Sequence, residues 1–419
     1  MTAMVDFRQL NSADPDSWRA ASQEWAALAK DLGRAAADLD RGTRRPLQNG
    51  GWSGAGAAIA AMKKIKNTIG ALEAAEGELT AVSMVLAGLA QATEVSQVTL
   101  REAKDQAARE GLVIGPDGSV SRNPGTGFAP APETILSVTQ EQQISKLIGE
   151  ALREATQSDQ KSAAELRRLA GRTGETDPER AYNLDVNDAS RTELEAIAGT
   201  IPTGPPEQVA QWWNSLPPAE QQKLMLAAPA ALAGVAGIPE EIKAQLRGFD
   251  GVDRTKVVQF ALQNWDRPVG RTYPDDCTNF VSEALRSGGL HQKGFDIAPF
   301  AGQSDTEHTW YGGQFGSGDP ISPRSHSYTL ARGLHEFLTS NNSSEVPLTQ
   351  ARPGDVMFWK DPHEGIHHTA VVTAVVDGHV YYTQHSGGAQ NADWTARQTM
   401  YNELGDPQGA SVIRVRQDD

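Results

Sequence analysis

The chain has 419 residues, of which 39% are hydrophobic and 22% charged, and its formal charge is −15. That length exceeds one ordinary core and predicts two or three structural units. The acidic balance argues against a nucleic-acid backbone as partner, because phosphate binding needs a basic footprint.

Met1 to Leu10 lacks the basic start and apolar core of a cleavable signal peptide. The two most apolar stretches, Leu79–Ala90 and Leu224–Pro239, are short, and the second contains Pro229, so no membrane span is expected. Cys277 stands alone, which excludes an internal disulfide and leaves its chemistry to be read from its neighbours.

Asp14 followed by Pro15 reads as a helix start. Apolar residues then recur at Trp18, Ala21, Trp25, Leu28, Leu32, Ala35 and Leu39, which is one heptad seam. The pattern breaks at Asn49-Gly50-Gly51-Trp52-Ser53-Gly54 and resumes through Ile59, Met62, Ile65, Ile69, Leu72, Leu79, Val82, Leu86 and Leu89. An antiparallel helical hairpin over residues 1–112 follows from this spacing. With Trp52-Ser53-Gly54 at its turn, the hairpin resembles the WXG-type proteins exported by type VII systems of actinobacteria. The resemblance implies secretion without a cleavable leader, and a WXG-type partner chain, since no Tyr-x-x-x-Asp/Glu export signal follows the second helix.

Turn chemistry at Gly115-Pro116-Asp117-Gly118 and Asn123-Pro124-Gly125 marks residues 113–138 as a linker. A helical spacer is expected over 139–247, with the stripe Ile144, Leu147, Ile148, Leu152, Ala155 and Leu166 in its first helix. Trp212 and Trp213 read as packing residues. No Gly-x-Ser-x-Gly elbow accompanies this spacer, which demotes a serine hydrolase.

Residues 248–419 carry the chemistry. Pro274 ends any preceding helix, Asp275 or Asp276 suits an N-cap, and Cys277 falls in the first turn that follows. The unpaired N–H groups there favour a thiolate. Cys277 is also in phase with Phe280, Val281 and Ala284, so a buried structural cysteine is the alternative.

Downstream, Arg352-Pro353-Gly354-Asp355 leads into a strand at Val356–Trp359. His367–Val376 reads as a buried strand that turns at Asp377-Gly378 and returns through Ser386. Pairing Val376 with His379 sets Thr373 opposite Tyr382 and Ala370 opposite His385. His368 and His385 then share a face while His367 and Gln384 take the other. This register makes His368 the base and His385 the group that orients it.

The run Asp276-Cys277-Thr278-Asn279-Phe280-Val281-Ser282, with Pro353-Gly354-Asp355-Val356, His368 and Gln384-His385-Ser386, resembles the amidase family related to NlpC-type cell-wall peptidases. The resemblance implies an α+β papain-like fold with an antiparallel sheet, Cys277 as nucleophile, His368 as base and His385 as the third polar residue. Gln384 is the alternative in that third role, and the register argument speaks against it.

Asp276 helps to position the turn, and Tyr273 either lines the cleft or packs. The histidines His363, His367, His368, His379 and His385 lack zinc spacing, so neither metal nor cofactor is expected. Asp305, Glu307 and His308 lie in a Gly/Ser-rich insertion over 302–327, where Trp310 either holds substrate or anchors the loop. The expected activity is hydrolysis of amide bonds, in peptidoglycan peptides or a target cell's proteins, by a secreted effector. The alternatives are a non-catalytic helical interaction protein, or acyl transfer or deamidation by the same thiol.

Overall fold

The computed structural model describes residues 4–49, 56–122, 133–172, 177–269, 275–294, 306–312, 324–362, 365–403 and 409–417. Its N-terminal and middle regions are helix-rich. The first elements are α1 (Phe7–Ser12), α2 (Pro15–Leu39), α3 (Arg45–Asn49) and the long α4 (Gly56–Arg109), with a π-helical turn at Asp40–Arg44.

Helix α2 packs on α4, but not through the expected heptad seam. The buried residues of α2 are Ser22, Ala29, Gly33 and Ala36, whereas Trp25 and Leu28 remain 38% and 47% exposed. Small side chains let the two backbones approach more closely than a Trp/Leu ridge allows. Trp52-Ser53-Gly54, the expected hinge, lies outside the described residues.

Helix α4 is long and apolar enough to cross a membrane by length and composition, and 61% of its most apolar window is buried inside the protein. Core residues such as Val85, Val95 and Leu100 account for that apolarity.

The stretch expected as linker holds a β-hairpin, β1 (Leu112–Ile114) with β2 (Val120–Arg122). Gly118, at φ +86°, closes its turn, and a Cβ there would meet Phe7 at 3.0 Å. The helical region continues with α5 (Glu133–Ala170), α6 (Pro178–Ala181), a π-helical turn at Tyr182–Val186, and α7 (Asn187–Ala198). Then come α8 (Pro206–Ser215), α9 (Pro218–Ala227), α10 (Pro229–Gly234) and α11 (Glu240–Arg247). The first three of this last group each begin on proline, whose fixed φ suits the first helical position. Trp212 and Trp213 are buried with ring centroids 6.2 Å apart, in one core with Val95, Ile197 and Leu224.

That core also takes in Ala374 and Tyr381 of the C-terminal sheet. Tyr381 Oη donates to Glu193 Oε2 at 2.6 Å, and Tyr182 Oη donates to the Asp393 carbonyl at 2.6 Å. The helices expected as a spacer over 139–247 therefore lie directly against the sheet.

The C-terminal region comprises α12 (Arg254–Asn264), α13 (Cys277–Ser287), α14 (His326–Thr329), α15 (Ala331–Ser340), β3 (Ser344–Val346), β4 (Val356–Asp361) and β5 (Gly365–Val376). It ends with β6 (His379–Gln384), β7 (Ala389–Asp393), α16 (Trp394–Glu403) and β8 (Gly409–Arg414). Six strands form one antiparallel sheet in the order β3-β8-β4-β5-β6-β7. Alternation along the strands gives each face its own core. Val356, Phe358, Val371 and Ile413 meet Phe280, Val281, Leu285 and Phe337 of the covering helices. Met357, Trp359, Ala370, Val372 and Tyr382 gather around Trp394 on the other side.

The Pro353-Gly354-Asp355 turn is a fastening in this scaffold. Buried Asp355 accepts from Arg254 Nη1 at 2.7 Å, from Arg414 Nη2 at 3.1 Å and from the Arg352 N–H at 2.9 Å. Gly354 takes φ +88°, and a Cβ there would stand 2.7 Å from Arg254 Cβ.

Candidate active site

Cys277 is the first residue of α13, with Asp276 in the N-cap position. The Asp276 carboxylate makes no capping bond and instead accepts from His385. Cys277 Sγ lies 3.7 Å from Thr278 Oγ1 and also takes a backbone hydrogen bond from Thr369 on β5. The sulfur therefore meets the strand one residue beyond His368.

Burial pushes the Cys277 thiol up, and the bonds from Thr278 and Thr369 oppose this without reversing it. The neighbouring Asp276 charge adds to the rise. Position at a helix start favours the thiolate in the sequence reading; with Cys277 only 7% exposed, desolvation outweighs it.

His368 sits edge-on to Trp359, with ring centroids 4.9 Å apart, and its Nε2 is 2.8 Å from Gln384 Oε1. An amide oxygen only accepts, so the ring proton is on Nε2 and the Nδ1 lone pair is bare. No hydrogen bond occupies Nδ1 among the described residues. Burial pulls the imidazole down to about 4, the Gln384 bond opposes this, and the Arg397 and His367 charges assist it. The ring is neutral at pH 7.

The expected register fails at Thr373. The hairpin begins as anticipated, with Val376 opposite His379, but Ala374 faces Tyr381 and Val372 faces Tyr382, which leaves Thr373 without a partner. Its hydroxyl donates to Asn391 Oδ1 at 2.7 Å and lies 3.2 Å from Thr383 Oγ1, so β7 holds the bulge in place. One extra residue reverses the side-chain alternation beyond it. Gln384, not His385, therefore reaches His368.

His385 is turned toward the head of α13. Its Nδ1 is 2.9 Å from Asp276 Oδ2 and its Nε2 is 2.8 Å from the Asn264 carbonyl, while the ring stacks on Phe280 at 4.3 Å. Both partners can only accept, so both ring nitrogens donate and the ring is an imidazolium. Burial pulls its pKa down, but the Asp276 carboxylate and the Asn264 carbonyl outweigh it, and the net shift is upward. A doubly donating ring has no lone pair for proton abstraction.

The structure thus ties His385 to Asp276, the residue before Cys277, and pairs His368 with Gln384. Thr369 joins the two, although no hydrogen bond runs from Cys277 to either histidine. His367 is exposed, with Nδ1 3.4 Å from the Gly365 carbonyl. Trp310 is fully buried and donates to Ser282 Oγ at 3.2 Å, which makes it an anchor of its loop. Tyr273, His363 and Asp305 lie outside the described residues. Sequence reasoning missed Trp359, the Asn264 carbonyl and the Thr369 N–H; the last two are backbone groups with no signature in side-chain type.

Among the described residues, no three His, Cys, Asp or Glu side chains are grouped to hold a metal. A cavity of about 880 Å³ lies elsewhere, between α2, α4 and the β5–β6 turn, lined by Gly33, Met84, Glu193 and His379. It includes neither Cys277 nor His368, so its size carries no weight in locating the chemistry.

Residues 251–404 match the family described as "Putative amidase domain". An uncharacterized protein, YhbB of Bacillus subtilis (strain 168), is 30% identical over 149 residues, which cover 34% of this chain and 43% of that protein. The chain thus spans less than half the length of this curated relative. No solved structure matches. Asp276, Cys277, His368, Gln384 and His385 all fall within the matched segment, and amide hydrolysis is the general activity that the family likeness supports.

Proposed function

We propose that the C-terminal region is a thiol amidohydrolase of papain-like arrangement, with Cys277 as nucleophile, His368 as base and Gln384 as the residue that orients the base. The bond from His368 Nε2 to Gln384 Oε1 carries this reading, because it fixes the tautomer that leaves Nδ1 as a proton acceptor. His385 serves in support, fastening Asp276 and the end of α12 beneath the nucleophile.

Thiol and imidazole start neutral. As Sγ bonds to the amide carbonyl carbon, His368 Nδ1 takes the thiol proton, and the carbonyl π electrons become an oxyanion. The Cys277 N–H, which has no partner within its helix, is the first donor to that oxygen. Collapse breaks the C–N bond, and His368 delivers its proton to the departing amine. Water then attacks the thioester with His368 again as base, releasing the acid and the thiol.

Peptidoglycan peptides or proteins of a target cell are the substrates in this reading. The chain leaves the cell by a type VII-like route, paired with a WXG-type partner. Cell-wall fragments and lysate proteins treated with wild-type or Cys277→Ala protein, then analysed by mass, test the proposal. New amine termini made only by the wild type are expected, and identical fragment sets would end the reading. Released ammonia or a new cross-link in place of an amine terminus would reassign the thiol to deamidation or transfer.

A further inference from the structure

The cavity of about 880 Å³ between α2, α4 and the β5–β6 turn has sides of unlike charge. Arg19, Lys30, Arg34 and Arg41 line it from α2, which contributes no carboxylate to it. The three arginines bond to Asp16, Glu94, Asp31 and Asp38, none of which lines the cavity. Lys30 is exposed and has no partner among the described residues, so its ammonium is free to meet an anion.

Glu193 of α7 and Asp377 of the β5–β6 turn line the other side. Glu193 is 3% exposed; its Oε2 accepts from Tyr381 Oη at 2.6 Å, and no hydrogen bond occupies its Oε1 among the described residues. His379 also lines the cavity, but its Nδ1 is held by Asp393 Oδ2 at 2.9 Å. No ion pair neutralises Glu193 or Asp377 among the described residues. Burial raises the Glu193 carboxyl to about 8, and the Tyr381 bond and the His379 charge oppose this without reversing it. A cationic ligand group supplies the counter-charge that this side lacks. The remaining lining charges are Glu76 of α4 and Lys223 of α9, and the latter is paired with Glu220 at 3.2 Å.

The cavity is open to solvent. Gln23, Ala26, Lys30 and Arg34 are exposed along its α2 edge, whereas Ala29, Gly33 and Met84 deeper in it are buried. Its volume lies within the range of roughly 300–1,000 Å³ that small-molecule sites occupy. Ala26, Ala29, Gly33 and Ala37 give the α2 side a surface of small side chains, which a peptide backbone can approach closely. The Gln23 amide has no partner among the described residues and is available to a peptide group.

We propose that this cavity is a binding site for short peptides with both ends free, taking the ammonium at Glu193 and Asp377 and the carboxylate at Lys30. It stands apart from the chemistry assigned to Cys277, which the cavity does not include.

The test is calorimetric binding to full-length Cys277→Ala protein, in which the probes are not consumed. The probes are trialanine with free ends, N-acetyl-trialanine and trialanine amide. Trialanine is expected to bind about 10-fold more tightly than either blocked form, as one charge-assisted contact supplies. Lys30→Met, at an exposed position, should erase the advantage over the amide and keep that over the acetylated peptide. Glu193→Gln should do the reverse. Circular dichroism checks the fold; should Glu193→Gln not fold, Asp377→Asn, in an exposed turn, reads the same preference for a free amine. Ala26→Trp, which fills the mouth from an exposed position, should weaken trialanine binding at least 10-fold. Equal affinity for the three probes, no binding of trialanine at millimolar concentration, or binding that survives Ala26→Trp would overturn the proposal.

Discussion

His368 Nε2 lies 2.8 Å from Gln384 Oε1, and this bond, not one to His385, sets the tautomer of the imidazole. Gln384→Ala is expected to lower kcat/KM roughly 10- to 100-fold, through loss of ring orientation. Gln384→Glu should place a carboxylate there and move the acid limb of the pH–rate profile upward from about 4. Superimposable profiles for wild type and Gln384→Glu would remove Gln384 from this role.

A raised thiol and a neutral imidazole predict a resting site without an ion pair. Iodoacetamide should alkylate Cys277 more slowly at pH 7 than it does free cysteine, and the rate should climb with pH beyond the ordinary thiol range. His368→Ala should leave that alkylation unchanged while reducing turnover roughly 10²- to 10⁴-fold, the contribution of a general base. Fast alkylation at pH 5 that depends on His368 would instead reveal a preformed thiolate.

Removing one partner from the buried His385–Asp276 pair should cost about 3 kcal/mol, measured by urea unfolding of His385→Gln. The pKa of His385 is raised in the folded protein, so its contribution is fully present below 6.5 and is lost as pH rises through the folded value. His368 runs the other way. With its folded pKa near 4, its contribution is fully present above 6.5 and fades as pH falls toward 4. A difference in stability between wild type and His385→Gln that does not shrink at alkaline pH would contradict the imidazolium assignment.

Gly88 on α4 meets α7 where an added Cβ would stand 2.7 Å from Glu193 Cα. Gly88→Ala should destabilise the protein by about 1–3 kcal/mol despite its better helix propensity, because backbone must move to admit the methyl group. A melting temperature at or above that of the wild type would show that the two helices part at little cost.

The locally encoded features were legible. Asp14-Pro15 opens a helix, Asp377-Gly378 turns a hairpin with both residues at positive φ, and Cys277 begins its helix. Residues adjacent in sequence suffice for each of these. The parts that misled depend on distant partners. The bulge at Thr373 is held by Asn391, and His385 is claimed by Asp276 and Asn264, more than a hundred positions earlier in the chain. The packed face of α2 is likewise chosen by how closely α4 can approach, which hydrophobic spacing in one helix does not encode.

Thr373 works as a parity switch. Were Thr373 drawn into the ladder opposite Tyr382, even pairing would bring His385 across to the face of His368 and send Gln384 to the far side. Two unlike chemistries, a neutral amide or a second titratable ring behind the same base, are thus separated by whether one residue joins the ladder or stands out of it.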